Sequence, residues 1–129
     1  MNDVCRMIKK QTVTNFSNME TAIKTYDRNA SVCGTPAWRY VYHAIHSADK
    51  WFFNPSKFTE PDFHENGMDN PDNPCNVVLS DTELLDYLHK VQIKTENYLD
   101  NLSDEELNEK PQGCEYTRLE LILGQFRHI

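Results

Sequence analysis

Five histidines, four cysteines and twenty acidic residues are the groups in this 129-residue chain with the chemistry of a site, and their spacing decides which can act together. His43 and His46 stand three residues apart, so on a helix they are surface neighbours. At about 100° per residue, Arg39, His43, His46, Ser47 and Lys50 share one sector, turned away from the main apolar stripe. Tyr40, Ala44 and Trp51 border that sector, leaving the helix little purely polar surface. Such a helix is expected to be central, with its polar strip lining a wet cleft. His128 repeats the pattern near the other end of the chain, opposite Ile122 and Phe126 and one turn after Gly124. Glycine inside a helix costs about 1 kcal/mol relative to alanine, so Gly124 reads as making room for another helix or a bound group. Imidazole is a ready ligand for zinc, nickel and iron, and bundles build metal sites from facing helices. His43 and His128 are therefore the candidate ligands of a divalent metal (Zn, Ni or Fe). No residue is assigned a catalytic role or the binding of an organic cofactor.

The remaining candidates carry less. His89 falls about 130° from the stripe of its own helix and reads as a solvated surface residue. His64 lies between Phe63 and Glu65 in a segment rich in Pro, Asn and Asp, where the sequence supports no role. His46 joins the metal pair only if its helix is rotated. The cysteines, at positions 5, 33, 75 and 114, form no Cys-x-x-Cys pair, which argues against a zinc finger or dithiol redox motif. They read as free, mostly buried thiols of a reducing compartment. Glycine-rich phosphate loops and the Gly-x-Ser-x-Gly turn of serine hydrolases are both missing.

The elements that must position these groups read as four helical blocks. The first, about 3–26, shows Phe16, Met19, Ala22, Ile23 and Tyr26 at helical spacing, with a break or frayed start where Gln11, Thr12 and Asn15 interrupt the stripe. The second opens with Thr35 as cap and Pro36 at the first helical position, runs through Trp38, Val41, Tyr42, Ile45, Ala48 and Phe52, and stops near Asn54, because the residue before Pro55 avoids helical geometry. A long irregular connection, 54–76, holds four of the six prolines. Ser80 and Glu83 then form a capping box for a third helix with Leu84, Leu88, Val91, Thr95, Tyr98 and Leu102 on one face. Ser103 with Glu106 opens a short acidic helix that ends by Pro111. The fourth block, about 115–129, carries Leu119, Ile122, Leu123, Phe126 and Ile129, and ceases without a stop signal, either as a helix that frays to the chain end or because this chain lacks a further C-terminal segment that its relatives carry. No strand-like alternation of useful length appears, and amphipathic helices must bury their stripes on one another. An all-α, up-down four-helix bundle filling residues 1–129 as one domain is the economical fold.

Composition bounds the partners. Thirteen basic against twenty acidic residues give a net charge of −7, and the densest basic run is Lys9-Lys10, which disfavours nucleic acid. The longest purely apolar runs are three residues, such as 51–53 and 121–123, far below the roughly 20 needed to span a bilayer. The start of the chain shows neither the basic head nor the apolar block of a leader, so a cytoplasmic protein is expected.

Beyond these readings, Pro36-Ala-Trp38-Arg-Tyr-Val-Tyr-His43 resembles the second-helix motif of the DinB-like superfamily, the damage-inducible metal-binding four-helix bundles. Val78-Leu-Ser80-Asp-Thr-Glu83-Leu-Leu-Asp-Tyr87-Leu resembles the opening of its third helix, and Leu102-Ser-Asp-Glu-Glu-Leu107 the short acidic segment after it. Leu119-Glu-Leu-Ile-Leu-Gly124-Gln-Phe-Arg127-His128 resembles the helix that delivers the second ligand. The resemblance implies His43 and His128 as metal ligands, with a third histidine four residues after the position of His128, a position this sequence does not reach. It also implies a metal-dependent enzyme, related to bacillithiol S-transferases or to hydrolases, acting on a small-molecule or thiol substrate. In that scheme Tyr42, Trp51 and Phe63 shape the pocket. The alternative is a non-catalytic helical module that binds a ligand or partner and has lost the metal. Either form is expected to be a homodimer through its first or last helix.

Overall fold

A computed structural model describes residues 3–129. Met1 and Asn2, on which the reading of the chain's start partly rests, lie outside the described residues. Within them the protein is mostly helical, with four α-helices and one two-stranded sheet. No helix among the described residues is long and apolar enough to cross a membrane.

Helix α1 (Asp3–Thr25) is continuous, so the expected break does not occur. Thr12 interrupts the apolar stripe in type only: it is fully buried, and its hydroxyl donates to the carbonyl of Ile8 at 2.7 Å. A buried polar group that is satisfied by its own helix costs little. The first amides of α1 are capped from far along the chain, because Asp104 accepts from the backbone N–H of Val4 and Cys5 at 3.0 and 2.9 Å.

An antiparallel hairpin, β1 (Ser31–Val32) with β2 (Thr35–Pro36), corrects the expectation of a strand-free chain. Cys33 and Gly34 both take positive φ, as a two-residue type I′ turn requires. The hairpin also displaces the expected cap of α2 (Ala37–Trp51): Pro36 is the N-cap, without a side-chain bond, and the Thr35 hydroxyl instead donates to the carbonyl of Pro71. After α2, Asn54 accepts from the Ser56 N–H and opens a 3₁₀ turn at Pro55–Lys57.

Helix α3 (Asp81–Asp100) starts from the Ser80–Glu83 capping box, as the sequence predicts. The Ser103–Glu106 box also forms, but it opens a 3₁₀ turn (Glu105–Asn108) in place of an α-helix. Helix α4 (Arg118–Gln125) is shorter than expected at both ends, and it is capped by a Thr117–Glu120 box that the sequence reading passed over.

Two apolar clusters hold these parts together. Phe16 and Ile23 of α1, Tyr42 and Ile45 of α2, and Leu88 and Val91 of α3 belong to one. Cys5, Ile8, Phe52, Leu99 and Ile122 belong to the other, which ties α4 to the start of α1. Burying one such side chain contributes about 1.5–3 kcal/mol. Polar staples add register between helices: Asp49 of α2 accepts from the Tyr87 hydroxyl at 2.7 Å and pairs with Lys94 at 2.8 Å, both on α3. The cysteines are free, but only Cys5 is fully buried, which corrects the expectation of mostly buried thiols.

Candidate metal centre

The polar sector of α2 is open only in part: Arg39 and His46 are buried, whereas Ser47 lines a groove. It is covered by the 54–76 connection and by α4, and the fastening is Arg39, only 5% exposed. Its guanidinium donates to three carbonyls of the connection, those of Asn73 (3.0 Å), Met68 (3.1 Å) and Asn70 (3.0 Å). Five fixed donors suit a guanidinium to gathering carbonyls that no regular element satisfies. Gly67, at φ +81°, lets the chain reverse, and the Asn73 amide closes that turn onto the Gly67 carbonyl. Met68 then plugs into the core with no exposure.

This cover gives the two histidines of α2 different partners. His43 donates from Nδ1 to the backbone carbonyl of Asp69 at 2.7 Å, since a carbonyl can only accept. In the neutral ring that assignment leaves Nε2 with the free lone pair. The ring of His128 lies 5.3 Å from that of His43, centroid to centroid, so the two predicted ligands do meet. His128 Nδ1 is buried without a hydrogen-bond partner of good geometry. Burial first, and then the neighbouring His43, lower its pKa, against an opposing pull from the Gly124 carbonyl. Among the described residues this pair has no third His, Cys, Asp or Glu close enough to complete a cluster of three ligands. A groove of about 450 Å³ opens here, lined by Ser47, Trp51, Gln125 and His128. The close approach expected at Gly124 is not found: an added Cβ would meet nothing nearer than the Arg127 guanidinium at 3.9 Å.

His46 and His64 correct the sequence reading more sharply. Neither is surface decoration, and no rotation of α2 is involved. Their rings stack at 4.6 Å, both side chains are nearly buried (4% and 6% exposed), and Glu60 lies between them. His46 Nε2 is 2.9 Å from Glu60 Oε1, and His64 Nε2 is 2.5 Å from Glu60 Oε2. The Tyr42 hydroxyl reaches His64 Nδ1 at 2.5 Å. Burial, then the charges of Glu60 and Asp69, push the Tyr42 phenol far up, so it stays protonated and able to donate. Burial likewise lowers the His64 pKa, against the raising effect of Glu60. Phe58 closes edge-on against His46 at 5.3 Å, and Phe63 packs edge-on against Tyr42 at 6.0 Å. Of the aromatics expected to shape a pocket, Tyr42 and Phe63 thus serve this cluster, whereas Trp51 walls the groove beside His128.

Glu60 and Asp69 are the site residues that sequence reasoning missed. One signal was present: a central helix with a polar sector needs polar partners, and the acidic connection that follows it is the nearest source. His89, by contrast, is on the surface as predicted, 48% exposed and paired with Glu20 at 2.9 Å. A cavity of about 480 Å³ among Asp49, Phe63, Asp86, Tyr87 and Lys94 is lined by no histidine. Comparison of the chain with protein-family models, curated proteins and solved structures finds no match in any of the three.

Proposed function

We propose that the protein is a divalent-metal-binding helical domain of the DinB-like type, with its helices in up-down order and His43 and His128 as ligands. It acts as a metal-dependent transferase or hydrolase on a small-molecule or thiol substrate. The observation that carries this reading is the meeting of an imidazole on α2 with one from the turn after α4, ring centroids 5.3 Å apart, with one ring nitrogen orphaned. The order of the four sequence motifs around them supports it further. A cation held there lowers the pKa of a bound thiol or water, which prepares a nucleophile at neutral pH. The chain's own groups prepare the place for it. The Asp69 carbonyl fixes the His43 tautomer, burial keeps His128 neutral, and the groove beside Trp51 and Gln125 admits a small molecule.

The test is elemental analysis after incubation with zinc or nickel and desalting, with wild type, His43→Ala and His128→Ala side by side. Each substitution is expected to remove one equivalent of metal. Full metal content in both variants would refute the reading, and thiol-transfer and hydrolysis assays follow only from the first result.

A further inference from the structure

We propose that His46, Glu60 and His64 form a second divalent-cation site, of zinc type, separate in its ligands from the His43–His128 pair. Their ligand atoms, two imidazole nitrogens and one carboxylate oxygen, all lie within 4.8 Å of one another. Two imidazoles and a carboxylate make a mixed nitrogen and oxygen set that suits zinc, whereas magnesium and calcium favour oxygen alone.

The distances show how little must move. Zinc bonds of about 2.0–2.2 Å set neighbouring ligand atoms of a tetrahedron roughly 3.4 Å apart. Glu60 Oε2 stands 3.3 Å from His46 Nε2 and 2.5 Å from His64 Nε2, so that oxygen need only part from His64 by less than about 1 Å. Glu60 is the member free to do so, since it is 44% exposed and comes from the connection. The two nearly buried imidazoles form the fixed floor, and Glu60 stands on the solvent side where an ion would enter. Asp69 Oδ1, 3.6 Å from His64 Nε2, brings a second negative charge beside the dication.

The surroundings are those of a held ligand. With Nε2 of His64 given to the ion, its proton would reside on Nδ1 and be donated to the Tyr42 oxygen. The hydroxyl, donor and acceptor both, reverses its role without moving. Such an outer partner orients a ligating histidine and sets its tautomer. Phe58 covers the His46 ring and Phe63 packs behind Tyr42, which holds the tyrosine in place beside His64. The competing arrangement is a plain clamp, in which both Nε2–H groups donate to Glu60 and no ion binds.

The experiment titrates zinc, against a chromophoric chelator near neutral pH, into the full chain carrying His43→Ala and His128→Ala together. One equivalent is expected to remain. Adding His64→Ala should abolish it, and adding Tyr42→Phe should weaken it roughly 10-fold. Glu60→Gln, at a half-exposed position that leaves the core untouched, guards against loss of folding and should also remove stoichiometric binding. Imidazole nitrogen NMR on the same samples should show the His46 and His64 resonances moving with zinc. The proposal falls if the double variant binds no zinc, or if binding survives His64→Ala or Glu60→Gln. A wild type that binds one equivalent, insensitive to His43→Ala but lost in His64→Ala, would support this site and sink the His43–His128 reading.

Discussion

His43 and His46 sit one turn apart on α2, yet they belong to different assemblies. His43 is met by one imidazole from the chain after α4 and by a backbone carbonyl of the connection. His46 is met by a carboxylate and an imidazole that both come from the connection. The first assembly draws on three separated parts of the chain, and its His128 retains an orphaned nitrogen. The second draws on two, and each ring nitrogen that faces Glu60 is within hydrogen-bond reach of it. The contrast teaches that sharing a helical face fixes neighbours but not partners. What covers the face decides those. One assembly has unspent bonding capacity without a metal, and the other has its ligands gathered in advance.

The largest expected effect separates the cover from the helix. Arg39 is the common fastening of the connection that brings Glu60, His64 and Asp69 to α2. Each hydrogen bond from a charged donor is worth about 1.5–3 kcal/mol, and the three here are coupled. Arg39→Met keeps the length of the side chain but leaves three carbonyls unpaired, and should cost about 3 kcal/mol or more in urea unfolding. His64 should lose its protected environment in NMR, while the contact of His43 with His128 is disturbed less, because α4 does not depend on Arg39. A cost below about 1 kcal/mol, with both histidine clusters unchanged, would show that the connection holds itself.

The same dependence explains what was legible in the sequence. The helical stripe of α3 and the Ser80–Glu83 box follow from local periodicity and capping chemistry and stand where expected, whereas α1 runs unbroken through the stretch where a break was expected. The meeting of His43 with His128 was also within reach, although His128 stands in the turn after α4 and not on the helix the spacing suggested. The Thr117–Glu120 box was readable and overlooked. Glu60 and His64 were not readable, because no periodicity governs 54–76. Its path is set by nonlocal bonds from Arg39 and by Met68 entering the core. The hairpin was hidden for a related reason: Cys33 takes a positive φ that its residue type does not advertise.

A smaller change should act on the α4 side alone. The Ser47 hydroxyl donates to Gln125 Oε1 at 2.8 Å, and Gln125 is 6% exposed. Ser47→Ala leaves that acceptor buried and unpaired, at a cost of about 1–2 kcal/mol. Metal held by His43 and His128 should weaken with it, because the bond fixes α4 against α2 three residues before His128. Binding at His46 and His64 should be unaffected. Equal weakening of both sites would mean that they move as one unit and not as two separate assemblies.

The smallest effect has the opposite sign. Gly124 lies within α4 and is not among the positive-φ glycines, which are Gly34, Gly67 and Gly113. A Cβ there meets only the flexible end of Arg127, at 3.9 Å. Alanine removes backbone freedom from the unfolded chain without strain in the folded one, so Gly124→Ala should stabilise by about 0.5 kcal/mol, or roughly 2 °C in Tm. Metal binding at both histidine clusters should be unchanged. A stabilised variant with an unaltered metal complement would show that the open space beside His128 serves no bound group. A variant that folds as well but loses metal only at the His43–His128 pair would mean that a ligand does approach the backbone at Gly124, and would place the substrate of that site against the last turn of α4.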